Sequence, residues 1–241
     1  LSVLVWFLAF GGVFWSLNST PRWLPLGWAA LALASAGAVV ITLAPFAGAA
    51  HPIMSNYIPV LDDPLFLVGL LAFALGITLL VGRSMIAIPP VGPWAEGVGA
   101  LRFGLNAAAV SACFALIAFV WSFSLMPPFL NGKAYYELLF WGGGHVLQFT
   151  YTLLMLVAWL WLASASGIRL RLTPRVALIF FLLGLLTVFL VPLIYYSYGI
   201  QSVEHVRLFT WLMAYGGSLA SLPLGLAIWH GLLFGGRAPP A

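Results

Sequence analysis

A single histidine, His145, stands inside the apolar run "ELLFWGGGHVLQFTYTLLMLVAWLWLA" at residues 137–163, directly after three glycines. An imidazole can bind a metal, carry a proton or hydrogen-bond across packed helices. At membrane depth an ionisable side chain faces a partner, a cavity or a cofactor, because exposing it to lipid is costly. Gly142, Gly143 and Gly144 remove side-chain bulk, so a neighbouring helix or a flat macrocycle can approach the backbone there. One histidine makes no metal site by itself, and a neutral imidazole hydrogen-bonded across a helix interface is an equally good reading. On a 3.6-residue period the stripe through His145 continues through Gln148, Thr152, Met155 and Trp159, the most polar face of this run, and is expected to point inward.

Other chemistry-bearing residues cluster near the same end of the spans. "VPLIYYSYGI" sets Tyr195, Tyr196 and Tyr198 together, and "AYYE" precedes the His145 run. Such tyrosines form an interfacial aromatic belt or line a cavity; composition alone does not separate the two. In "AHPIMSNYIPVLDDPLF", His51 is far from Asp62 and Asp63, without the short spacing that marks a metal motif. Asp62 and Asp63 before Pro64 suit a helix N-cap instead. In "SVEHVRLFTW", Ser202 is placed as a cap and Glu204 as a first-turn acid, with His205 at the outer surface. Cys113 sits in an apolar run as a small core residue, and His230, beside Trp229, reads as interfacial.

The elements that hold these residues follow from composition. Of 241 residues, 63% are hydrophobic and 6% charged, with a mean hydropathy of +1.11, which belongs to a membrane protein and not to a soluble domain. The net charge of +4 is too sparse for a nucleic-acid surface. A span needs roughly 20 apolar residues, and seven such runs lie at about 1–17, 24–46, 64–82, 103–125, 138–163, 175–198 and 206–234. Gly, Pro and Asn punctuate the breaks between them. Arg22, Arg83, Arg102, Arg169, Arg171, Arg175 and Arg237 fall on one side, against Lys133 and Arg207 on the other. By the positive-inside rule the chain starts outside and ends inside. His145 is eight residues in from Glu137, about 12 Å down at 1.5 Å per residue. The expected fold is an all-α polytopic membrane helix bundle of seven transmembrane helices, one domain over residues 1–241. The opening run reads as a spanning helix lacking its beginning, the whole as a piece of a longer bundle. A signal peptide is a poor reading of it, for want of a basic start and a small-residue cleavage site.

Two segments carry a family resemblance. "LFWGGGHVLQFTYTLLMLVAWLWL" resembles the sixth helix of the catalytic subunit I of the heme-copper oxygen and nitric oxide reductases, the superfamily of cytochrome c oxidase, where a Trp-rich start leads to a Gly-His pair. "TPRVALIFFLLGLLTVFLVPLIYYSYGIQSVEHVRLFTW" resembles the seventh helix, a short outer loop and the start of the eighth. The resemblance covers about helices two to eight of that family, in the same orientation. It implies that His145 is a ligand of the copper called copper B, that Gly144, Gln148 and Arg207 belong to a heme environment, and that Tyr195 and Tyr196 line the pocket. It also implies heme as cofactor, with axial ligands beyond these residues, and electron flow from a cytochrome c or cupredoxin to O2 or NO. Other membrane subunits and the lipid bilayer are the remaining partners, in a bacterial or archaeal inner membrane. The chain departs from the family where a His-His pair should complete the copper site. Tyr195 and Tyr196 stand there, and phenol is a poor copper ligand beside imidazole. The family's copper-linked tyrosine position is Phe149. Two other functions compete: a non-catalytic membrane subunit for assembly or electron transfer, and a small transporter. The latter lacks intramembrane carboxylates and paired broken helices.

Overall fold

The computed structural model describes residues 22–49, 51–87, 97–168 and 170–235, so the run at 1–17 lies outside the described residues. Within them six helices are long and apolar enough to cross a membrane, and each matches one of the other six predicted crossings. The protein is an all-α polytopic helix bundle.

Helix α1, Leu24–Leu43, ends in a 3-10 turn and leads to a small hairpin, β1 Pro52–Ile53 against β2 Val60–Leu61. Helix α2, Pro64–Ile86, starts at Asp63, whose carboxylate accepts from the backbone N–H of Leu65 at 2.8 Å and Phe66 at 3.4 Å, the predicted cap. Asp62 instead donates its backbone N–H to the His51 carbonyl at 2.8 Å, closing the hairpin. Helices α3, Gly97–Ser124, and α4, Gly132–Ala165, form the centre of the bundle. The fifth crossing in the described chain is α5, Pro174–Leu186, a 3-10 stretch Thr187–Leu190 and α6, Val191–Ser197. Pro192 has no N–H to give to the carbonyl four residues back, which accounts for the break. The last crossing is α7, Val203–Trp211, a π-helical stretch Leu212–Gly216 and α8, Ser218–Phe234. Ser202 Oγ accepts from the His205 N–H at 3.1 Å, again as the sequence predicts.

Small residues set the close packing. Ala108, Ala112, Ala115 and Ala118 of α3 are all buried, against a face of α4 made of Gly143, Val146, Leu153 and Val157. In lipid, where greasy surface gains nothing by leaving the medium, helices associate through such close approach. A buried polar link adds to it: Thr150 Oγ1 donates to Ser111 Oγ at 3.1 Å, which donates to the Val146 carbonyl at 3.3 Å. Buried Arg83 of α2 gives its Nε to the Trp23 carbonyl at 3.0 Å and an Nη to Arg22 at 3.1 Å, tying the start of α1 to the end of α2.

Packing also corrects the predicted orientation of α4. His145 does face inward, but Met155 and Trp159 of its polar stripe are exposed. The inward face continues instead through Phe149, Leu153, Leu156 and Leu160. Polarity does not rank the faces of a helix that meets both protein and lipid. The glycines and Thr150 do.

A closed histidine and tyrosine cluster

The hairpin, the first turns of α4, the end of α6 and the start of α7 meet at one end of the bundle, the end that the charge bias assigns to the outside. His145 is only 2% exposed there. The Tyr57 hydroxyl lies 2.7 Å from its Nδ1 and 3.0 Å from its Nε2, and Nδ1 lies 2.7 Å from the Trp141 carbonyl. One proton arrangement satisfies all of these groups: Nδ1–H donates to the Trp141 carbonyl one turn back, and the Tyr57 O–H donates to Nε2. This is the neutral, hydrogen-bonded imidazole, reached from a loop rather than from a neighbouring helix.

Each glycine of the run seats an aromatic ring. A Cβ on Gly142 would meet the Tyr195 hydroxyl and one on Gly143 the Phe119 ring. On Gly144 it would come within 2.5 Å of the Tyr57 ring. Tyr57 itself is in the left-handed region, φ 72°, a conformation that costs a residue with a Cβ about 1–2 kcal/mol. The tertiary contacts to His145 and Gly144 hold it there. Burial pushes the Tyr57 phenol from its ordinary 10.0 up to about 12.

A second histidine belongs to the cluster. His205 is 2% exposed, packs edge-on to Tyr195 with ring centres 4.9 Å apart and lies 4.9 Å from Phe209, which in turn is 6.1 Å from His145. Its Nδ1 is buried with no hydrogen-bond partner among the described residues. The charge bias places His205 at the outer end of the bundle, and packing there turns its side chain into the cluster. The signal was its spacing of four from Phe209, which puts both on one face of α7.

Tyr195 and Tyr196, expected to line one pocket, part company. Tyr195 is 4% exposed, its hydroxyl 2.7 Å from Ser122 Oγ and donating to the Ala118 carbonyl at 3.0 Å, with its ring stacked on Trp121. Tyr196 is 88% exposed. Neighbours on a helix point about 100° apart, and here that step carries Tyr196 out of the cluster. Arg207, expected near a heme, is exposed and stacks on Trp211 at 4.1 Å, away from the histidines. Gln148 is half-buried three residues beyond His145, and Gly144 is the seat of Tyr57.

These residues do not fit the copper site that the resemblance implies. Both nitrogens of His145 are engaged, Tyr195 turns its oxygen toward Ser122, and among the described residues no group of three or more His, Cys, Asp or Glu is placed to share a metal ion. A heme face has no room over Gly142–Gly144, since three rings fill that space. The chemistry left to the cluster is local proton sharing between Tyr57 and His145 and a tight mechanical bond among five elements. Trp141 Nε1, donating to the Val206 carbonyl at 3.3 Å, adds to that bond.

Comparison with known proteins finds similarity to the uncharacterized protein RP382 of Rickettsia prowazekii (strain Madrid E), 28% identical over 197 residues. The match covers 79% of this chain and 37% of that protein, so the chain spans little more than a third of its relative's length. No family model and no solved structure matches.

Proposed function

We propose that this chain is the membrane-embedded part of a heme-copper-reductase-like subunit I that lacks copper B, and that it serves electron transfer or assembly in a larger membrane complex rather than reduction of O2 or NO at copper. The observation that carries this reading is the state of His145. The residue in the copper-ligand position spends both ring nitrogens on Tyr57 and Trp141, while the position of a second imidazole is a buried tyrosine bonded to Ser122. A bacterial inner membrane as location agrees with the Rickettsia relative. Its partners are other membrane subunits and a cytochrome c or cupredoxin donor, with heme as the cofactor that the resemblance implies.

The test is a reduced-minus-oxidised visible spectrum of the purified full-length protein with metal analysis and O2 and NO uptake. The expected result is a heme signal without stoichiometric copper and without gas consumption. Copper at one per chain together with O2 or NO reduction would overturn the copper-free reading, and a protein devoid of heme would overturn the family reading.

A further inference from the structure

Between the α5–α6 crossing and the α7–α8 crossing runs an open groove of about 530 Å³, within the range of cavities that hold small molecules. Leu190, Leu193, Leu208, Trp211, Leu212 and Leu219 are among its lining residues. From Leu208 to Leu219 it extends about 16 Å along the helix axis at 1.5 Å per residue. Its wall is the π-helical stretch Leu212–Gly216, where Gly216 lies so close to Thr187 that a Cβ would meet it at 2.9 Å. Single π-helical turns inside α-helices occur frequently at functional sites.

Charge sits at one end. Only Lys133 and Arg207 are cationic on this side of the bundle, against the prevailing bias. Lys133 is paired with Glu137 at 3.6 Å. Arg207 forms no ion pair among the described residues, although exposed Glu204 precedes it by three positions. Its guanidinium lies instead over Trp211, a wall of the groove, at 4.1 Å. An arginine stacked on an aromatic ring keeps its planar fork of N–H donors for an anion.

We propose that the groove holds an acyl chain of an anionic phospholipid whose phosphate is bound by Arg207. An open apolar groove, with a guanidinium at one end that forms no ion pair among the described residues, matches an amphiphile with a long tail and a negative head. This inference rests on the groove, Trp211 and Arg207, and survives or fails independently of the copper-free reading.

The experiment places the full-length protein in phosphatidylcholine bilayers doped with brominated-acyl phosphatidylglycerol or brominated-acyl phosphatidylcholine, and follows quenching of Trp211 as the difference from a Trp211→Phe variant. The anionic lipid is expected to quench at about fivefold lower mole fraction, the effect of one arginine at a lipid headgroup. Arg207→Gln removes that preference and Arg207→Lys, keeping the charge, retains most of it; unchanged thermal unfolding shows both are folded. Equal quenching by the two lipids in the unaltered protein would overturn the phosphate assignment. Absence of Trp211 quenching by either would overturn the lipid site and show that protein covers the groove.

Discussion

The Tyr57–His145 contact gives the most direct test of the cluster. In Tyr57→Phe the ring still fills the space over Gly144, so packing is kept while Nε2 of a buried imidazole loses its donor. Leaving such a group unsatisfied costs about 1–3 kcal/mol. Part of that is returned if the loop relaxes, since the left-handed backbone at Tyr57, φ 72°, stores about 1–2 kcal/mol. The single change should therefore destabilise by about 1 kcal/mol. His145→Phe removes the other partner and also the bond to the Trp141 carbonyl, so it should cost more. In the double variant the phenol no longer matters, and the coupling energy between the two sites should fall at about 0.6–1.7 kcal/mol, between the average and the maximum found for polar pairs in a membrane bundle. The assay is reversible unfolding in mixed micelles, with protease cleavage of the 51–63 hairpin as a local reading. Additive effects, within the roughly 0.3–0.5 kcal/mol expected of independent sites, would refute the contact and with it the statement that His145 has no free nitrogen.

Three further outcomes follow from the same geometry. Gly142→Ala and Gly144→Ala should each destabilise by about 1–3 kcal/mol, the usual cost of overpacking, whereas Gly82→Ala, with open space around its Cβ, should stabilise α2 by about 0.5–1 kcal/mol; thermal unfolding in detergent reads both. Tyr195→Phe should cost about 1 kcal/mol or more from its lost hydrogen bonds, while Tyr196→Phe at an exposed position should stay within about 0.5 kcal/mol. Alkaline pH should loosen the hairpin. The Tyr57 phenol titrates at about 12 when folded against 10.0 when free, so the stability it confers is complete below pH 10.0 and is lost as pH rises through about 12, because the unfolded chain gives up its proton first. Protease cleavage of the hairpin should rise across that window, and Tyr57→Phe should abolish that component of the rise.

The spans were legible because hydropathy and length answer a one-dimensional question, and lipid enforces the answer. Caps at Asp63 and Ser202 were legible for a similar reason: the side chain that closes a helix lies next to the backbone it serves. Hydropathy located the His145 helix less well at its start. It begins at Gly132, because "KAYYE" is polar yet helical, and a lipid scale does not see helix that stands in the headgroup region. Tyr57 was illegible for a different reason. It stands 88 residues from His145, in a loop, with a backbone conformation that a tyrosine adopts only under tertiary constraint. Nothing local announces it.

The three glycines show how far spacing alone can reach. Their sequence says that something approaches the backbone closely, and that is true. It does not say what, and a macrocycle, a helix and an aromatic ring all satisfy the same absence of a Cβ. Here three different elements each send one ring: Tyr57 from the hairpin, Phe119 from α3 and Tyr195 from α6. Because each ring comes from a separate element, the run works as the common seat of this end of the bundle. An imidazole ringed by such partners is held too firmly to serve as a ligand unless Tyr57 leaves, and that departure requires the hairpin to move with it. Metal capture by His145 would then have to coincide with protease sensitivity in residues 51–63. A protein that took up copper at His145 with the hairpin still protected would show that the cluster opens by some other route.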